Sequence, residues 1–285
     1  MKVSSFHFKV GKYECIAVSD GSIPSADAAQ LLFKNAPKEL LAQAMRTNNI
    51  HLDQWIELFT CLMIQTRGHN VLVDTGLGDL DWAPNAGKLL QNLSAEGFEP
   101  GDIDTVIISH AHGDHIGGNT NAEGRANFPN AQYYMRKEEW DFWTSEATLA
   151  NPAHEWMGEF VNKRLLPIRD HLKLLEQDVQ IVPGIKTLFS PGHTPGHMAV
   201  VIESNGDKLI NLGDAILHPL HLEHPGWYSE PDCEPAQTVS TRRSILRRAA
   251  NDQALVFAFH FDFPCLGHVL PQQKNWKWQP IDIPG

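Results

Sequence analysis

Between positions 109 and 118 the chain reads Ser109-His110-Ala111-His112-Gly113-Asp114-His115-Ile116-Gly117-Gly118. Neutral imidazole and carboxylate are the usual ligands of zinc and similar divalent ions. With 15 histidines in the chain, some clustering is expected by chance. The order His-x-His-x-Asp-His, closed by Ile-Gly-Gly, is too regular for that reading. The cluster follows Thr105-Val106-Ile107-Ile108, an apolar run that reads as a short buried strand. It therefore opens where a strand ends, and α/β folds place chemistry there.

Three further segments offer ligands at strand ends. Ser190-Pro191-Gly192-His193-Thr194-Pro195-Gly196-His197 is a tight, pre-set loop with His193 at its turn. Asp214 ends the run Asn211-Leu212-Gly213-Asp214, and His260 ends Val256-Phe257-Ala258-Phe259-His260. Singly, each fits a cap or loop residue. Four strand ends that each offer an imidazole or carboxylate can together hold two metals rather than one.

The elements that must position these groups are legible from pattern. Residues 6–18 alternate around Gly11-Lys12 and read as a hairpin. A second strand pair spans 57–66 and 70–73, with Asp74-Thr75-Gly76 directly after it. Helices are expected over 86–96, 136–148, 152–166 and 235–250, the first stopped by Gly97. Strands are expected at 131–135, 179–182, 185–189, 198–203 and 208–212. Both halves run strands first and then helices, which suggests sheets packed on each other with helices outside. Residues 20–55 break the strand pattern, and Pro37 could open a helix there. This stretch reads as an N-terminal insertion, either a substrate flap or the arm of a homodimer. Arg242, Arg243, Arg247 and Arg248 read as a solvated helix face.

Composition excludes several classes. A 285-residue chain with 42% hydrophobic residues is long enough for one large domain over 1–285. A net charge of -11 argues against nucleic acid as a partner. Cys15, Cys61, Cys233 and Cys265 lie far apart with no Cys-x-x-Cys pair, which fits reduced thiols in a cytoplasmic protein. Neither a signal-peptide core nor an apolar run of membrane-spanning length is expected.

Taken in order, His-x-His-x-Asp-His, Pro-Gly-His-Thr-Pro-Gly-His, Gly-Asp and a late His resemble the metallo-β-lactamase superfamily over roughly residues 57–268. The resemblance implies a four-layer αββα sandwich, an α/β (α+β) fold, with a dinuclear site at one edge of the paired sheets. It implies that His110, His112 and His193 bind one metal, Asp114, His115 and His260 the other, and that Asp214 bridges. It makes Asp74 a hydrogen-bond partner of a ligand and His197 a structural histidine. His268 is a rival to His260, which the strand-end position and the family pattern favour. The metals are expected to be zinc, with Mn, Fe or Co also suited to such ligands.

Within the family, His112 in place of Glu disfavours a diiron oxygen site, and Asp214 in place of Cys disfavours a true β-lactamase. The ending His260-Phe261-Asp262-Phe263-Pro264-Cys265-Leu266-Gly267-His268 resembles the lactonase and methyl-parathion-hydrolase-like branch. The tyrosine that some acyl-homoserine lactonases carry three residues after the bridging Asp is replaced by Leu217, with His218 next. The expected activity is opening of lactones, such as acyl-homoserine lactones, or cleavage of related esters by water activated at the metals. Phosphotriesterase, thioesterase or glyoxalase II-like hydrolysis is the alternative, and a non-catalytic metal protein is disfavoured by the intact ligand set. Asp114 is expected to handle protons. His218 is expected to donate a hydrogen bond to substrate, with His221 and His224 as neighbours of open role. Trp55, Trp82, Phe128, Leu217, Trp227 and Phe263 are candidate pocket walls.

Overall fold

A computed structural model describes residues 4–25, 27–51 and 54–283. Among them, the first half of the chain builds one seven-stranded sheet whose spatial order follows the sequence. Its strands are β1 (Ser5–Val10), β2 (Tyr13–Pro24), β3 (Ile56–Thr66), β4 (His69–Val73), β5 (Thr105–Ile107), β6 (Gln132–Arg136) and β7 (Leu172–Leu175). The second half builds the other, in the order β14-β13-β12-β11-β10-β9-β8. These are β8 (Gln180–Val182), β9 (Ile185–Phe189), β10 (Met198–Ser204), β11 (Asp207–Asn211), β12 (Leu255–Phe257), β13 (Leu266–Gln272) and β14 (Asn275–Pro280).

Each sheet is apolar on both faces, so its strands read as continuous hydrophobic runs. On β3 and β4, Leu62, Ile64, Val71 and Val73 face Val200, Ile202, Leu209 and Phe257 of the other sheet. The alternate residues Cys61, Met63 and Leu72 join an outer core with Trp143, Leu89 and Leu93. On the far side, Val201, Ile210 and Val256 pack against Ile245 and Leu246. The layers are therefore helix, sheet, sheet, helix. The outer helices are α3 (Leu89–Ala95), α5 (Lys137–Trp143) and α6 (Glu146–Leu149) on one side and α9 (Pro235–Asn251) on the other. Numbered with these in chain order are α1 (Ala28–Leu32), α2 (Lys38–Thr47), α4 (Gly113–Ile116), α7 (Met157–Phe160) and α8 (Leu220–Glu223).

Three details differ from the expectations. The helix expected over 136–148 is broken at Ser145, whose hydroxyl caps α6 by accepting from Thr148 N–H at 3.2 Å. The helix expected over 152–166 is a single α turn, α7, followed by a wide turn over Val161–Leu165 and a tight one over Leu166–His171. Pro167 lacks the N–H that would continue a regular ladder. Beyond the expected strands, β13 and β14 pair from Gly267↔Pro280 to Gln272↔Asn275 and bring Trp276 and Trp278 against the outer core. Arg242 is fully buried rather than solvated. Its guanidinium donates to the carbonyls of Ala215 and Trp227 and so holds the loop after Asp214.

The stretch over 20–55 continues β2 and then carries α1 and α2. It packs Leu32, Phe33 and Ala44 against Leu217, Leu220 and Trp227. Backbone bonds from Lys34 N–H to Tyr228 O at 2.9 Å and from Glu230 N–H to Leu31 O at 2.7 Å tie it to the same loop.

Candidate metal centre

The carboxyl ends of β4, β5, β9, β11 and β12 point to one edge of the paired sheets, and the loops leaving them bring the predicted residues together. Two groups form: His110, His112, His193 and Asp214, and Asp114, His115, Asp214 and His260. Within each group, one ligand atom per residue lies within 4.8 Å of all the others. Asp214 belongs to both. His112 turns Nδ1 inward, 3.1 Å from His110 Nε2 and 2.9 Å from His193 Nε2. His260 presents Nε2, 3.2 Å from Asp214 Oδ2 and 3.4 Å from Asp114 Oδ2. Of the histidines and the two aspartates at issue, only Asp114 has a noticeably accessible side chain, at 20%. His268 lies apart on β13, its Nδ1 3.2 Å from Ala254 O.

These residues suit divalent cations on structural grounds. His115 Nε2 and Asp214 Oδ1 are buried without a hydrogen-bond partner. They lie 3.3 Å apart, close enough to attract but too poorly aligned to bond. Buried polar atoms are almost always paired, and a cation between converging imidazoles and a carboxylate satisfies both.

Outer partners fix the rings. Asp74 Oδ2 accepts from His115 Nδ1–H at 2.9 Å, while its other oxygen accepts Ser109 N–H at 2.7 Å. Asp232 Oδ1 accepts from His193 Nδ1–H at 2.9 Å. His260 Nδ1–H donates to Leu58 O at 3.0 Å. In each case the acceptor keeps a proton on Nδ1 and turns Nε2 inward as the nitrogen that would meet a cation. His197 accepts Asp214 N–H at 3.0 Å and donates from Nδ1 to Ser190 O at 3.0 Å. Asp20 in β2 accepts Leu77 and Leu89 N–H, each at 2.8 Å, and burial pushes its carboxyl up to about 7. Asp20 and Asp232 carried no motif in the sequence.

Protonation in the metal-free chain follows from burial and charge. Burial holds His110 and His112 well below the usual imidazole range, with neighbouring rings adding to it. Burial also opposes a charge on His115, but Asp214, Asp114 and Asp74 outweigh it and hold its pKa well above the usual value. His260 is raised in the same way, to about 9. Asp114 and Asp214 stay ionised: burial would raise them, but His115 and His260 hold them down. The second group thus carries protons that a bound cation would displace.

His218 is buried beside Trp55 and Phe33, with ring centroids at 4.9 and 5.2 Å. Its Nδ1 accepts Leu220 N–H at 3.0 Å, so Nε2 carries the proton. His221 is fully buried and donates from Nε2 to Leu32 O at 2.9 Å, which makes it a tie to α1. His224 stacks on Trp227 at 3.9 Å. Among the candidate walls, Phe128 is plain core and Phe263 packs between the sheets. Trp82 lines a separate cavity of about 640 Å³ that none of the two groups touches. An aromatic not singled out from sequence, Trp156, lies half exposed over His112 at 5.4 Å.

The chain matches the model of the metallo-beta-lactamase superfamily over residues 60–260. An N-acyl homoserine lactonase of Bacillus cereus is 25% identical over 252 residues, which cover 82% of this chain and 88% of the relative. Among solved structures, AidC, a dizinc quorum-quenching lactonase in complex with the product N-hexanoyl-L-homoserine, superposes with a TM-score of 0.88. It is 27% identical, with 99% of each chain covered. The hydrolase AbOPH of the beta lactamase superfamily shares the fold, with a TM-score of 0.88 at 24% identity and all of both chains covered.

Proposed function

This chain belongs to the metallo-β-lactamase superfamily, and from that membership we propose that it is a dinuclear metal-dependent hydrolase that opens N-acyl homoserine lactones or closely related lactones. The observation that carries the reading is one aspartate, Asp214, shared by two ligand groups, with its Oδ1 and His115 Nε2 left unsatisfied between them. His110, His112 and His193 would hold one divalent ion, and Asp114, His115 and His260 the other. Zinc is the ion that the dizinc relative points to.

When bound, such a pair lowers the pKa of water to about 7 and polarises an ester carbonyl. The chain's own residues supply the rest. Asp214 holds both groups in one frame. Asp114, the accessible carboxylate, takes the proton from the attacking water and returns it to the ring oxygen as the lactone C–O bond breaks. Water adds to the acyl carbon, and the product is the open hydroxy acid. His218, next to the Leu217 that stands three residues after Asp214, offers a neutral Nε2–H to a substrate oxygen. The stretch over 20–55 acts as a flap of the same single domain, because it is tied to the loop that carries His218. The four unpaired cysteines support a reducing, cytoplasmic setting.

The test is hydrolysis by the zinc-loaded protein across acyl-homoserine lactones, aryl esters, thioesters and phosphotriesters, followed by proton release. Lactones should be turned over with the highest kcat/KM. A protein that cleaves phosphotriesters and leaves lactones intact would overturn the reading.

A further inference from the structure

The first metal position is assembled from two loops far apart in sequence, His110–His112 and His193. One buried carboxylate touches both. Glu139, on α5, is fully buried. Its Oε1 accepts Ala111 N–H at 2.8 Å and Trp143 Nε1–H at 2.8 Å. Its Oε2 accepts the Thr194 hydroxyl at 2.6 Å and Gly196 N–H at 2.9 Å. Ala111 sits between His110 and His112, and Thr194 follows His193. Gly196 permits the approach: a Cβ there would stand 2.1 Å from Glu139 N. Among the described residues, no Lys, Arg or His forms an ion pair with Glu139. Four donors hold it, two per oxygen: one from the His110–His112 loop, two from the His193 loop, and Trp143 from its own helix.

We propose that Glu139 is the positioning residue that clamps the His110–His112 loop to the His193 loop and so sets the spacing of the first metal position. The inference rests on the metal reading of that group, not on which substrate is cleaved. An ionised carboxylate is the only side chain of this shape that accepts from both sides. In Glu139→Gln the amide NH2 must face donors whichever way it is turned. The Thr194 hydroxyl can rotate to accept from it, but Gly196 N–H cannot. The His193 side of the clamp should therefore open.

The readout is zinc and cobalt titration of the metal-free protein against a chelator, with stoichiometry by elemental analysis. Glu139→Gln should weaken one of two metals by about 10- to 100-fold and leave the other close to wild type. Thr194→Val removes a single donor from the clamp and should weaken the same metal by a smaller factor. It carries the test if Glu139→Gln does not fold. Leu246→Ala, on the buried face of α9 and in contact with none of the clamp residues, should lower Tm and keep both metals. Wild-type affinity in folded Glu139→Gln, or in Thr194→Val if that is the only folded variant, overturns the proposal. So does an equal loss of metal in Leu246→Ala, because general loosening would then explain the effect. A wild-type protein inert to lactones whose metal content responds in this way leaves the clamp standing and removes only the lactonase reading.

Discussion

His218 illustrates how burial can prepare a group for one role. Desolvation drops its pKa to about 3, so the ring stays neutral at working pH. The Leu220 amide occupies Nδ1, and Nε2–H remains the donor. His218→Ala should lower kcat for lactones while both metals stay bound; elemental analysis beside steady-state kinetics checks it. An unchanged kcat would retire the role. Asp232 invites a second test at this scale. It holds His193 by Nδ1–H and has no metal of its own to bind. Asp232→Ala should cost about 10- to 100-fold in metal affinity, as removal of such partners does, read by chelator competition.

At the scale of elements, the glycines after the histidine motif have a steric cause. Gly117 passes so close to the chain that a Cβ would stand 1.8 Å from Leu77 O, and at Gly118 it would stand 2.1 Å from Thr75 O. The turn after α4 is thus pressed onto the Asp74-Thr75 loop, which carries the partner of His115. Thr75 adds its hydroxyl to His115 O at 3.1 Å. Gly117→Ala should destabilise the fold by about 1–3 kcal/mol, as overpacking does. The midpoint of urea unfolding measures it, and an unshifted midpoint would mean that the contact yields freely. Elements were largely legible from pattern: the β3–β4 pair, β8 to β11 and α9 lie close to where periodicity puts them. β7, β13 and β14 were not, because short strands that mix apolar with polar residues carry no clean period. α7 was overextended because an apolar spacing that suits a helix also suits the wider and tighter turns into which Pro167 forces the chain.

For the whole molecule, acid stability follows from the buried neutral rings. His218 and His197 both have folded pKa values of about 3 against the usual 6.5. The unfolded chain then binds more protons than the folded one between those values, so stability rises with pH across the window. Their contribution is complete above about pH 6.5 and is lost as pH falls towards 3, at about 1.4 kcal/mol per pKa unit. His218→Phe should flatten the acid limb. The stability difference between variant and parent should move in the variant's favour as pH falls from 6.5. Denaturant unfolding of the metal-free proteins across that range tests it, and a pH-independent difference would show that His218 is hydrated. The two halves of the molecule meet through apolar faces, so the ligands from β5 and those from β9, β11 and β12 depend on one shared core.

The sequence by itself determined the chemistry. His110, His112, Asp114, His115, His193, Asp214 and His260 are short motifs at apolar strand ends, and local order suffices to recognise them. Its strands-then-helices order in both halves also suggested paired sheets with helices outside, and the family resemblance implied the four layers. Only the tertiary structure decided what holds those side chains still. Asp20, Glu139, Asp232 and Arg242 are ordinary charged residues in sequence. Each acquires its partners because folding removes water from it and brings donors or acceptors from loops distant in the chain. Such a role depends on burial and on partners distant in the chain, and neither has a local signature.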